Sequence, residues 1–242
     1  MGMKIGKVTF NSIASDFLGI YVSGKGTYDA ADLDMTSYTV PGRSGNILLS
    51  NNRYKNIDVK YPAFIPNGFE AGVQAVRNWM RGATSYKRLT DSYDTAHYRM
   101  AIPKGVLSFS PVDQNREANF QLVFDCKPQR FLTSGETESA ITNGGTISNP
   151  TLFNALPLIT FTKISSTASI SVTNILGTFT MTATAARNGS GTIDCDTLNI
   201  HDGNTNLNSL FTGDFPVLAP GTNTFAISGF TTPKITPRWW EL

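Results

Sequence analysis

Apolar residues along this chain recur mostly with a period of two, the spacing that places every second side chain on one face of a β-strand. Val8 and Phe10, then Ile20 and Val22, alternate with polar neighbours and predict two short strands. The run from Ser23 to Asp34 is polar and reads as a loop or an extended arm. Thr39-Val40-Pro41-Gly42-Arg43-Ser44-Gly45-Asn46 forces a turn, because glycine tolerates positive φ and proline cannot join a central ladder. Ile47–Leu49 is expected as a strand and Ser50-Asn51-Asn52 as a turn. Ile57, Val59 and Tyr61 then form the second arm of a hairpin with one buried face.

One segment has a different period. Phe69, Val73, Val76 and Met80 fall at i, i+4, i+7 and i+11, one face of a helix. Asn67 is placed to cap it, with Glu70 completing a capping box. Arg77 and Arg81 suit the negative end of the helix dipole, and Gly82 suits the position just past the end. The narrow stripe predicts a helix docked on a sheet. Beyond it, Tyr98, Met100 and Ile102 suggest a strand, and Leu107 and Phe109 another. Phe120, Leu122, Phe124 and Cys126 alternate with their neighbours most cleanly of all.

From Glu136 to Pro150 large apolar clusters are lacking and Asn143-Gly144-Gly145 marks a turn, so a domain boundary is expected near residues 134–138. The expected domains are 1–136 and 137–242. In the second, Ile159/Phe161, Ile170/Val172, Phe179/Met181/Ala183, Ile193/Cys195, Leu198/Ile200 and Phe225/Ile227 are short alternating runs separated by turn residues, which predicts a β-sandwich.

Composition narrows the picture. Only 16% of the 242 residues are charged, too few for a coiled coil or a Glu/Lys-rich helical repeat. The net charge of +2 comes without a basic run, which argues against tight nucleic-acid binding. No apolar stretch is long enough to span a bilayer, and the start lacks a signal-peptide core. Synthesis in the cytosol without membrane insertion is the expectation.

Candidate chemistry is sparse. Cys126 and Cys195 lie in strand patterns and read as two buried thiols rather than a disulfide framework. His97 and His201 are the only histidines, with no zinc-ligand spacing around them and no nucleophile-elbow motif. Glu70, Glu117, Glu136, Glu138 and Glu241 include no evident acid/base pair for glycosidic cleavage. Gly24-Lys25-Gly26 lacks the spacing of a phosphate loop. Asp194, Asp196 and Asp202 are too irregular for a calcium loop and read as a solvated strand face. Trp239-Trp240 reads first as packing and second as a stacking platform or interface anchor. No catalytic residue, metal site or cofactor is expected.

Several segments together carry a family resemblance. They are Val40-Pro41-Gly42-Arg43-Ser44-Gly45, Asn52-Arg53-Tyr54-Lys55-Asn56, Cys126-Lys127-Pro128-Gln129-Arg130-Phe131-Leu132, Asn149-Pro150-Thr151, Asp194-Cys195-Asp196-Thr197, Gly213-Asp214-Phe215-Pro216 and Pro237-Arg238-Trp239-Trp240. In this order they resemble the distal tail proteins (Dit) of long-tailed phages infecting Gram-positive bacteria. The resemblance implies a mainly β fold: an N-terminal β-sandwich-like domain with a single helix, and a C-terminal galectin-like sandwich. It further implies a homo-hexameric ring at the tail tip of the virion, and the N-terminal domain, 1–136, is expected to form it. The ring joins the major tail tube protein to a tail-associated fibre or hub protein, with receptor-binding proteins as further partners, around the DNA conduit. Inserted carbohydrate-binding modules of longer members have no counterpart here. Interface residues are not fixed by motif; Arg43, displayed at a rigid turn, is the expected one, with Arg53 and Tyr54. The alternative is a lectin-like carbohydrate-binding protein acting through the C-terminal sandwich, and a weaker one is a hydrolase.

Overall fold

In a computed structural model of the protein the described residues are 5–24, 26–112, 114 and 116–242, the side chain of Ser166 apart. Lys25 of Gly24-Lys25-Gly26, the segment weighed above as a phosphate loop, therefore lies outside them. The fold is mainly β and divides into two compact units, Met1–Arg130 with Leu242, and Phe131–Glu241. The division falls inside the strand Glu117–Leu132.

The first unit is built on one antiparallel sheet. Its strands run in the order Ile13–Ala14, Val8–Phe10, Lys87–Asp91, Asp94–Pro103, Glu117–Leu132, Ile57–Ile65, Tyr21–Val22. Reciprocal hydrogen bonds between Gly6 and Val22, at 2.9 and 3.0 Å, tie the last strand back to the residues leading into Val8–Phe10. The sheet thus closes on itself, which spends its lateral edges. In the strongest pairing Phe120, Leu122 and Phe124 stand opposite Ala63, Tyr61 and Val59, and all six are buried.

The helix Phe69–Arg81 docks on this core through Val73, Val76, Trp79 and Met80. Gly72 faces Ile65 so closely that a Cβ there would lie 2.9 Å from Ile65 Cγ2. Trp79 stands edge-on to Phe10 and donates its indole N–H to the Phe10 carbonyl at 3.2 Å, so its one polar atom is satisfied in the core. The expected cap is corrected: Gly68, not Asn67, is the N-cap, with φ +72°, and no side chain caps the helix. The chain enters the helix through a left-handed residue, a conformation open to glycine at little cost.

The second unit is a sandwich of two antiparallel sheets. The six-stranded one runs Ser139–Ala140, Lys234–Thr236, Leu158–Phe161, Gly191–Asp194, Asn199–Asp202, Thr205–Asn206. The five-stranded one runs Thr146–Asn149, Gly221–Thr231, Lys163–Asn174, Gly177–Ala183, Phe211–Gly213. Ile159, Phe161, Ile193, Ile200 and Ile235 from one meet Ile170, Val172, Met181 and Phe225 from the other in a single core. Trp239 is buried in it, and Trp240 stacks on Phe153 at 4.4 Å while donating to the Asn154 carbonyl. Both tryptophans are packing residues.

Candidate functional site

The most conspicuous feature of the first unit is a hairpin outside its sheet. Leu33–Tyr38 pairs only with Ile47–Tyr54, as a two-stranded sheet of its own. Pro41 and Gly42 turn the chain, the Arg43 N–H bonds the Val40 carbonyl at 3.2 Å, and Gly42 and Gly45 take φ +80° and +81°. Here the sequence expectation is corrected in part. Ser50-Asn51-Asn52 is not a turn, and Ile47 does not pair with the strand Ile57–Ile65. The strand runs unbroken to Tyr54, and Asn52 with φ +52° sits in a bulge where Leu33–Met35 opposes Ser50–Tyr54. A left-handed Asn supplies a bulge as readily as a turn.

Neither face of this hairpin is covered. Register places Tyr38, Ile47, Thr36 and Leu49 on one face and Met35, Ser37, Leu48 and Ser50 on the other. Leu48 is 62% and Leu49 55% exposed, and Met35, Tyr38, Val40 and Ile47 are exposed as well. Its base is braced by polar contacts. Arg53 Nε bonds Asp34 Oδ2 at 2.7 Å, which holds the Asp34 carboxyl below the usual range. Lys55 Nζ reaches Asp32 Oδ2 at 3.3 Å, and Asn56 Nδ2 donates to Tyr86 Oη and Asp125 Oδ1, each at 2.6 Å.

Of the three expected interface residues, Arg43 stands exposed at the tip, Arg53 is spent on Asp34 within the hairpin, and Tyr54 lies half-buried at its base, opposite Leu33. Composition and turn signals pointed to Arg43. The apolar faces around it were missed because Ile47–Leu49 was read as half-buried.

The other candidates are held in structural roles. His97 Nδ1 lies 2.7 Å from Asp94 Oδ1, and Arg130 donates to Asp94 Oδ2 at 2.8 Å. The space beside them, about 30 Å³, has room for one water. Glu138 accepts from Thr160 and Lys234, at 2.9 and 2.8 Å, and its carboxyl is held below the usual range by Lys234 and then Thr160, the reverse of what a general acid needs. Asp194 is not a solvated strand residue as expected: Arg238 Nη1 bonds it at 2.6 Å. Cys126 and Cys195 are free buried thiols, one in each core; burial pushes Cys126 up to about 12 and Cys195 higher still. Among the described residues no group of three His, Cys, Asp or Glu is placed to hold a metal ion, and no helix is long and apolar enough to cross a membrane. A polar groove of about 320 Å³ on the second unit contains Glu138, Thr160, Thr192, Asp202 and Lys234, but its only aromatic, Phe161, is buried.

The two units in this chain order recur in solved structures. The Dit protein of phage SPP1, described as a paradigm of the hub adsorption apparatus of phages infecting Gram-positive bacteria, superposes with a TM-score of 0.75. That likeness spans 99% of this chain and 100% of the SPP1 protein at 12% identity. The fold is that of a phage distal tail protein. A chain of the phage P2 baseplate in its activated conformation with Ca matches at TM-score 0.58 and 8% identity, over 96% of this chain and 97% of that one. The same baseplate with Sr gives 0.57 and 10%, with 97% of each chain covered. At the level of sequence, neither family models nor curated proteins give a match. The Dit fold is thus kept here on a sequence that shares about one residue in ten with these neighbours.

Proposed function

We propose that this chain is a structural hub of a phage tail tip. Six copies form a ring that joins the tail tube protein to a tail-associated fibre or baseplate protein around the DNA conduit. The chain is made in the host cytoplasm and resides in the virion, has no catalytic role and needs no cofactor. The observation that carries this is the likeness to the SPP1 hub protein, which spans both units and covers 99% of this chain and 100% of that one.

The exposed hairpin supports the reading. The closed sheet of the first unit has few free edges to offer a second copy. The hairpin has two free edges and exposed apolar side chains on both faces, Tyr38, Ile47 and Leu49 on one and Met35 and Leu48 on the other. At ~3.3 Å per residue its eight-residue strand reaches about 25 Å. A strand apolar on both faces is stable when both are covered. In a ring the arm of one copy lies between neighbouring copies, with Arg43 at its tip offering a planar fork to carboxylates or carbonyls. A ring that passes DNA gains from the absence of a basic run, since phosphate contacts would retard passage.

Native mass spectrometry of the full chain at micromolar concentration tests this. The hexamer is expected. The double variant Leu48→Asp, Leu49→Asp removes no side chain buried within one copy, so it should keep a cooperative melt as a folded monomer and lose the ring, together with the stability that assembly adds. Arg43→Ala should weaken the ring without abolishing it. A monomer at every concentration for the parent chain, or a ring untouched by the double variant, would sink the hub reading or the hairpin's part in it, respectively.

A further inference from the structure

A pocket in the first unit gathers hydrogen-bond donors that the chain leaves without acceptors. It opens beside the Asp94–His97–Arg130 cluster and is walled by Val59, Tyr61, Leu89 and Tyr98. Arg99 lies half-buried in its lining. A guanidinium carries five N–H donors. Among the described residues this one makes a single hydrogen bond, from Nη1 to the Pro128 carbonyl at 3.3 Å, and has no carboxylate within ion-pair distance. The two carboxylates of the lining are engaged elsewhere. Asp91 accepts from Tyr61 Oη at 2.8 Å and from the Tyr93 and Asp94 N–H groups at 2.8 and 2.9 Å. Asp94 is shared between His97 and Arg130. Two hydroxyls of the lining resemble Arg99 in this respect. Thr27 accepts from the Asp29 N–H at 3.0 Å, and neither it nor Thr90 has an acceptor for its own proton.

The charges point the same way. Burial holds the Arg99 guanidinium below its ordinary range, and the charge of Arg130 lowers it further. Two guanidiniums that line one partly enclosed space repel each other, and apolar walls raise the cost of a charge left unpaired. A water in that space accepts hydrogen bonds but leaves the repulsion in place. A monovalent anion accepts the hydrogen bonds and offsets the repulsion as well. The space, about 30 Å³, admits one such species and no large polyatomic ion.

We propose that this pocket binds one small inorganic anion, of the size of chloride, on the donors of Arg99, Thr27 and Thr90. The site stands whether or not the chain forms a ring. It bears on the projecting hairpin all the same. The segment that carries Thr27 leads into the strand Leu33–Tyr38 and is laid on the core at Gly26, where a Cβ would lie 2.4 Å from Val59 Cγ1 and 2.6 Å from Tyr61 Cζ. The Lys60 N–H bonds the Gly26 carbonyl at 3.3 Å. An anion held by Thr27, Thr90 and Arg99 joins that segment to the strands Lys87–Asp91 and Asp94–Pro103, and so fixes the root of the hairpin on the sheet.

The test uses the full chain in sodium gluconate, whose anion is too large for the space, with sodium chloride replacing it at constant ionic strength. The melting temperature should rise by several degrees and then saturate as chloride replaces gluconate, the behaviour of a ligand that binds the folded state. The chloride NMR line should broaden with the parent chain. Arg99→Gln should melt at the same temperature in both salts and leave the line narrow. A crystal of the parent soaked in sodium bromide should show an anomalous peak within hydrogen-bond distance of the Arg99 guanidinium, a readout that needs no variant to fold. A parent chain indifferent to the exchange, a chloride response kept by folded Arg99→Gln, or a crystal with no bromide at Arg99 would overturn the site.

Discussion

Asp194 and Arg238 lie 44 positions apart and meet at 2.6 Å. Each belongs to a short segment singled out in the sequence, and their pairing shows what those segments do. Arg238 takes φ +61°, its N–H bonds the Gly135 carbonyl at 2.9 Å, and its guanidinium holds Asp194. Asn149 of Asn-Pro-Thr is buried and donates to the Phe153 and Leu218 carbonyls. Gly213 sits at φ +107°, against the Thr180 carbonyl, where no Cβ fits. These residues are locks of the fold rather than chemistry, and they were legible as signatures without being legible as contacts. Burial raises the Asp194 carboxyl, but the Arg238 bond and charge and the Asp196 N–H outweigh it, leaving the group below its usual range. A depressed folded value adds stability above the unfolded value near pH 4, which is lost as pH falls through the folded one. Asp194→Asn should therefore cost on the order of 1 kcal/mol at pH 7 after solvent screening. It should also flatten the acid limb of the second unit's stability curve. Denaturant melts of both proteins between pH 2 and 7 measure this; parallel curves would mean that the pair adds nothing.

At the scale of elements, what the sequence revealed depended on whether one period explained all the burial. The helix was readable because Val73, Val76 and Met80 obey 3.6 residues per turn. Trp79 widens that face and escaped notice, since its burial depends on Phe10 supplying an acceptor 69 positions away. The hairpin was half readable. Its tip has chemistry that admits one reading, Pro-Gly and a second glycine, whereas Ser50-Asn51-Asn52 fits both a turn and a bulge. Only the partner strand decides between them, and of Leu33–Tyr38 only Leu33 and Asp34 belong to the stretch that reads as a loop or extended arm. Likewise Leu198, expected in a strand with Ile200, is a turn residue, because alternation cannot show backbone handedness. The helix stripe yields a sharp expectation. Val76 is fully buried among Val73, Met80 and the sheet core. Val76→Asp puts a carboxylate there without a partner, at a cost of about 4 kcal/mol or more. Thiol labelling separates the two units, since Cys126 lies in one core and Cys195 in the other. Cys126 should become reactive in the variant under conditions where Cys195 stays protected; equal protection of both would mean that the helix tolerates the charge.

For the whole molecule, the sequence divides the chain by a change of texture between residues 136 and 137, whereas the packing divides it between Arg130 and Phe131, and the texture does not match the packing. Sparse apolar content from Glu136 to Pro150 is the sequence signal for that boundary. Those residues instead contribute edge strands to both sheets of the second unit, Ser139–Ala140 and Thr146–Asn149. Gly135 is buried, and a Cβ on it would lie 2.5 Å from the Trp239 nitrogen. The Leu132 N–H bonds the Trp239 carbonyl at 2.9 Å. A protease needs several residues of extended, unpaired backbone, which a local opening must supply, and the contacts of residues 132–149 oppose such an opening. The Pro41–Gly45 tip is exposed, and its one backbone bond spans only Val40 and Arg43. Trypsin at low ratio should therefore cut the full chain first after Arg43, before Arg130, the last tryptic residue ahead of the segment 131–149, which holds no Lys or Arg. The fragments 1–43 and 44–242 should stay together until denatured, because Leu33–Tyr38 remains paired with Ile47–Tyr54. If the hairpin lies between copies in a ring, the cut should slow as protein concentration rises through the assembly range. Intact mass measured over a digestion time course at two concentrations reads both effects. A first cut after Arg130 or Lys163 would mark the unit boundary or the second sandwich as the weaker point. A rate after Arg43 independent of concentration would leave the hairpin free in the assembly and remove it from the interface.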